Sequence, residues 1–206
     1  VTIQTGAKIT ILSFISALFL TGSLAQAQAE PSGSATFSAD EIQQTLRSLG
    51  ADAETLGEGM AKGIASVIAK YGQPTGLIVG GEFQGSLIVG YRKGSGQLLF
   101  KGQAPEQARK IFWEAPSIGF GAGATASKVC LLIYGTRDHT QVLGHFASGQ
   151  GSAHWLAGGS ISVLSNLAHD AEARVSLVDV AVGVGFDLTA RLEGLTFTTE
   201  DSWLPF

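Results

Sequence analysis

Two acid–imidazole neighbours, Asp138-His139 and His169-Asp170, come nearest in this chain to residues that could do chemistry. A carboxylate helps an imidazole act as a base by orienting it across space, whereas side chains adjacent in sequence point apart, so adjacency builds no dyad. His145 and His154 complete the four histidines, and no two of them stand at the i, i+4 spacing of an HExxH zinc helix. Cys130 is the single cysteine, which leaves no cysteine-rich metal site. The histidines read as surface loop residues, with no catalytic or metal-binding role. No GxSxG elbow presents a serine nucleophile. Carboxylates are isolated; Glu82 and Glu114 are the two that a glycosidase-type mechanism would need within about 10 Å of each other.

Residues 121–126 match a GxGxxA dinucleotide fingerprint, Gly121-Ala122-Gly123-Ala124-Thr125-Ala126. That motif works where a strand leads into a helix whose N-terminus meets the pyrophosphate. A strand-type segment, 128–134, follows instead, so neither a nucleotide nor any other cofactor is expected. Cys130 lies in that apolar run and reads as a buried, inert thiol. Trp113, Trp155 and Trp203 read as core fillers, although an indole also suits a lipid or saccharide site.

The elements that must position these residues begin after an export signal. Lys8 supplies a basic n-region, residues 9–20 an apolar h-region, and Ala27-Gln28-Ala29 a small-x-small cleavage site, so 1–29 is expected to be a cleaved signal peptide and the destination the periplasm. The h-region is shorter than the roughly 20 residues that span a bilayer, and no later segment is long and apolar enough. The formal net charge of −4 becomes −5 without Lys8, and its carriers are scattered. With no basic cluster, nucleic acid is not an expected partner.

Residues 30–37 read as a Pro/Ser/Gly linker. Ser38-Ala39-Asp40-Glu41 is a capping box, and Ile42, Leu46 and Leu49 give the following helix one apolar face. A second helix is expected over 54–71, with glycines that allow close packing. From Gly76 the period is 2: Val178, Val180, Val182, Val184, Phe186 and Leu188 alternate with small or polar residues, a strand with one buried face. Residues 117–124 repeat the pattern. Further strands are expected near 76–82, 86–92, 97–101, 111–114, 128–134, 153–164 and 194–198, with turns at 93–96 and 193–194 and a short helix at 138–146. The fold class is α+β, one domain over 38–206: two helices within 38–72, then a small, mostly antiparallel β-barrel or strongly curved sheet over 76–206. Recurrent strand glycines imply sharp curvature or the close approach of another surface. A lipid-embedded barrel is disfavoured, because counting back from Phe206 by twos meets Leu204, Ser202, Glu200 and Thr198 rather than an apolar stripe.

Several motifs recur together: Lys70-Tyr71-Gly72-Gln73-Pro74, Gly81-Glu82 with Gly85, residues 90–98 and 113–119, Gly151-Ser152-Ala153, Val182-Gly183-Val184-Gly185, and Trp203-Leu204-Pro205-Phe206. In these the chain resembles the proteobacterial periplasmic envelope integrity protein A family, once defined only as a domain of unknown function. It departs from that pattern at 122–126 and at Leu204, and is more weakly similar to SYLF lipid-binding domains. The resemblance implies a small periplasmic β-barrel with a role in envelope maintenance and no assigned catalysis. The expected function is therefore that of a non-catalytic monomer supporting envelope integrity by binding a lipid, another amphiphile or an envelope protein. Tyr91, Arg92, Trp113, Pro116 and Ser117 are the expected contact residues, since they combine apolar surface with polar handles. The alternative is a periplasmic hydrolase of peptidoglycan or envelope polysaccharide.

Overall fold

The computed structural model describes residues 35–86, 89–118, 123–148, 154–156, 159–166, 174–184 and 194–201. The expected signal peptide, most of the linker, residues 119–122 and 185–188, His169-Asp170 and Trp203-Leu204-Pro205-Phe206 lie outside them, as do the side chains of Ser117, His154 and Trp155.

Helix α1 (Ala39–Ser48) starts at the expected capping box: the Glu41 N–H donates to Ser38 Oγ at 3.3 Å, and the Ser38 N–H donates back to Glu41 Oε2 at 2.9 Å. Helix α2 (Glu58–Tyr71) starts four residues later than expected. Asp52 is the reason, because its Oδ1 accepts both the Thr55 N–H (2.9 Å) and the Thr55 hydroxyl (2.8 Å) and holds that stretch as a turn.

Among the described residues nine antiparallel strands follow: β1 (Gly76–Ser86), β2 (Val89–Phe100), β3 (Arg109–Ile118), β4 (Gly123–Tyr134), β5 (Gly144–Ser148), β6 (His154–Leu156), β7 (Gly159–Asn166), β8 (Ser176–Val184) and β9 (Leu195–Thr198). Eight of them close into a barrel in the order β5-β9-β3-β2-β1-β4-β8-β7, with β7 pairing back to β5, while β6 pairs with the start of β7. Closure leaves few exposed strand edges.

Four local expectations change, the first being the strand expected over 117–124, whose described ends belong to β3 and β4. The turn expected at 93–96 is strand: β2 runs unbroken, with Lys93↔Glu114 and Gly94↔Trp113 on one side and Gly94↔Glu82 and Gly96↔Gly80 on the other. Its glycines serve close approach instead. A Cβ on Gly94 would lie 2.1 Å from the Trp113 indole, and one on Gly80 would lie 2.1 Å from the Ser95 carbonyl oxygen. The expected helix at 138–146 is a single 3-10 turn (His139–Val142), stabilised by the Thr140 N–H donating to Asp138 at 2.9 Å, followed by β5. The expected single strand over 153–164 is two, β6 and β7.

The alternation expected for β8 is present, but both of its faces are buried. Leu177, Asp179 and Ala181 face the barrel interior, and Val178, Val180 and Val182 face the helices. Two cores result. The inner one fills the barrel with residues such as Ile78, Phe100, Ile111, Trp113, Leu131, Phe146 and Phe197. The outer one packs Ile42, Leu46, Met60, Ile64 and Val67 on Leu77, Val79, Cys130, Leu132 and the three β8 valines. Each of these side chains contributes roughly 1.5–3 kcal/mol when fully buried, so packing holds the helices to the barrel more than ion pairs do.

Candidate functional site

Strand parity sorts the expected contact residues onto two faces of one sheet. On β2, Leu98, Gly96, Gly94 and Arg92 point inward, so Arg92 ends inside the barrel at 1% exposure. Trp113 on β3 points inward beside it. Tyr91 and Pro116, cross-strand partners in the β2–β3 register, point outward. Arg92 and Trp113 therefore do not share a surface with Tyr91 and Pro116.

Inside, Arg92 bridges two carboxylates. Its Nε donates to Glu82 Oε2 at 2.7 Å, and its Nη2 lies 2.6 Å from Glu82 Oε2 and 2.9 Å from Asp179 Oδ2. Trp113 Nε1 and Ser127 Oγ add hydrogen bonds to the two Glu82 oxygens, each at 3.2 Å. Burial works against the charge on Arg92, but the carboxylates of Glu82 and Asp179 outweigh it and hold the guanidinium pKa above its ordinary value. Through these contacts the cluster pins β1, β2, β3, β4 and β8 together across the barrel interior.

Outside, the same strands carry a groove of about 350 Å³, within the range of small-molecule sites. Gly81, Ser95 and Ala126 are its small residues, and Phe83 and Phe112 its aromatic ones; Phe83 is 55% exposed. Two cations stand at the rim. Lys93 pairs with Asp201 at 2.5 Å, and Lys128 pairs with Asp52 at 2.7 Å. The hydrogen bond from Lys128, followed by those from Thr55, holds the Asp52 carboxyl well below the usual range. Nearby, the Tyr91 hydroxyl donates to Glu114 Oε2. Burial first, then this carboxylate, pushes the Tyr91 hydroxyl up to about 12, so it stays a donor at neutral pH.

Glu82 and Glu114, the carboxylates a hydrolase would need to converge, stand on opposite faces of the sheet wall, Glu82 engaged by Arg92 and Glu114 by Tyr91. His139 and His145 lie outside the barrel, near Arg109 (3.0 Å) and Thr196 (3.3 Å) respectively. Among the described residues, no three His, Cys, Asp or Glu side chains converge as metal ligands.

The model of the envelope integrity protein A family matches residues 35–206. The chain belongs to that family. Its fold is similar to a crystal structure of a β-barrel-like, uncharacterized protein from Brucella abortus, at 28% sequence identity and a TM-score of 0.60, covering 84% of this chain and 99% of that one. No significant match was found among curated proteins.

Membership in the envelope integrity family ties the chain to the cell envelope and agrees with the likeness carried by its motifs. The sequence reading missed the partners of Arg92 and the whole groove. The first was detectable only in part: Arg92 shares parity with Gly94, Gly96, Leu98 and Phe100, which marks it as inward and in need of buried carboxylates but not which carboxylates those are. The second was not, because Phe83, Lys93, Phe112 and Lys128 come from four strands and only the register brings them together.

Proposed function

We propose that this member of the envelope integrity family acts without catalysis in the periplasm, supporting the envelope by binding an amphiphile or an apolar segment of an envelope protein in the outer-face groove. One observation carries this reading: an exposed phenylalanine stands over a dip in the sheet wall that small residues keep open, with lysine–aspartate pairs at its rim. Aromatic walls suit an acyl chain or apolar side chains, and the rim suits a polar headgroup or backbone. The export signal read in residues 1–29 supports the compartment.

Gly81 gives the test. A Cβ there meets only the Ser127 carbonyl oxygen at 3.6 Å and the Lys128 side chain at 4.0 Å, so Gly81→Leu fills the groove without a clash at the backbone. Native mass spectrometry of protein extracted from the periplasm is expected to show a co-purifying amphiphile. In Gly81→Leu its occupancy should fall about tenfold, the equivalent of about 1.4 kcal/mol. Clean, ligand-free wild type, together with full complementation of an envelope defect by Gly81→Leu, would overturn the proposal.

A further inference from the structure

We infer that the polar half of the barrel interior is a water-binding chamber, with ordered water held between Ser160, Ser162 and the Asp179–Arg92 pair. It is separate from the outer groove and independent of the function proposed there.

Parity and register place the groups. Ile161 packs in the outer core and Leu164 in the inner one, so the intervening Ser162 and its neighbour in parity, Ser160, face inward. In the β7–β8 ladder Ser162 stands opposite Asp179 and Ser160 opposite Ala181, both inward. Each serine is 1% exposed, and neither hydroxyl has a hydrogen-bonding partner among the described residues. A buried hydroxyl without a partner costs about 1–3 kcal/mol, and such groups are normally served by internal water.

Small side chains line one wall of the barrel at this level. An eight-stranded barrel is just wide enough for its side chains to fill it, or for one small guest. Here the wall made by β7 and β8 contributes only Ser160, Ser162 and Ala181 around Asp179, opposite the larger Arg92 and Trp113. Water making about three hydrogen bonds finds them in the two hydroxyls and a carboxylate, which accepts from more than one donor.

Charge selects water over a cation. Glu82 and Asp179 outnumber Arg92, which alone would favour a small cation, but the guanidinium already lies 2.9 Å from the carboxylate that such an ion would need. A neutral molecule able to donate and accept meets no such repulsion.

The test compares wild type with Ser162→Val and Ser162→Thr, a pair of equal shape that differs in the hydroxyl, both of which suit a strand. Water oxygen-17 relaxation dispersion is expected to detect long-lived internal water in wild type and in Ser162→Thr, with a clear loss of amplitude in Ser162→Val. A high-resolution crystal structure of the wild type should show density between the serines and Asp179. No long-lived water, or equal amplitude in the two variants, would overturn the inference. A saturable rise in melting temperature with added sodium chloride but not choline chloride would overturn it in favour of a cation.

Discussion

Arg92 shows how far one side chain can be committed inside a small barrel. Removing it leaves Glu82 and Asp179 buried without their counter-charge, so Arg92→Met is expected to cost about 3–5 kcal/mol in denaturant unfolding. Replacing Glu82, Arg92 and Asp179 together by apolar residues should recover most of that loss, because a buried ion cluster is a weak stabiliser relative to well-packed apolar groups. The glycines divide in the same quantitative way. Gly94→Ala drives a methyl into the Trp113 indole and is expected to cost about 1–3 kcal/mol or more, whereas Gly81→Ala should lie within about 0.5 kcal/mol of wild type. Cys130 is buried on the helix-facing side, and burial pushes its thiol up to about 12. A thiol-specific reagent at pH 8 should therefore leave the native protein untouched and modify it only after unfolding. Trp113, expected both as a core filler and as a contact residue, lies in the core, and the buried position of Cys130 was legible from its apolar neighbours. The partners of Arg92 were not, because Asp179 is 87 residues away and looks like the polar face of an ordinary strand.

Among the elements, the start of α1 was legible to the residue, because a capping box is a local device whose hydrogen bonds are all made within four residues. Ser38→Ala should cost about 1 kcal/mol in thermal unfolding. Glu41 also accepts from Lys101 on the barrel side, and that hydrogen bond, followed by those from Ser38, lowers its carboxyl to about 2 from an ordinary 4.5. A depressed carboxyl stabilises the fold above its unfolded-state value and loses that contribution as pH falls through the folded-state value. Docking of α1 should therefore weaken between about pH 4.5 and pH 2, and Glu41→Gln should flatten the acid limb of the unfolding curve over that window. Strand positions were legible from their period of 2. The error at 93–96 came from treating glycines as turn formers, when here they let Trp113 and the neighbouring backbone come close within one continuous strand.

At the scale of the molecule, alternation alone could not say that β8 is sandwiched, since the helices that cover its valines lie more than 100 residues earlier in the chain. A closed barrel was one of two forms expected, beside a strongly curved sheet; the route of closure was not foreseen. Among the described residues β1 is paired along eleven positions to β2 and eleven to β4, whereas β5 joins β7 by three and β9 by three. Under native-state hydrogen–deuterium exchange, strand amides at 144–148 and 195–198 should exchange faster than those of β1 and β4. A cylinder so unevenly stitched has a preferred line of opening: pulled or warmed, it would lose the β5 stave first and unroll from there, while the long ladders around β1 and the helices packed on β8 hold until the end.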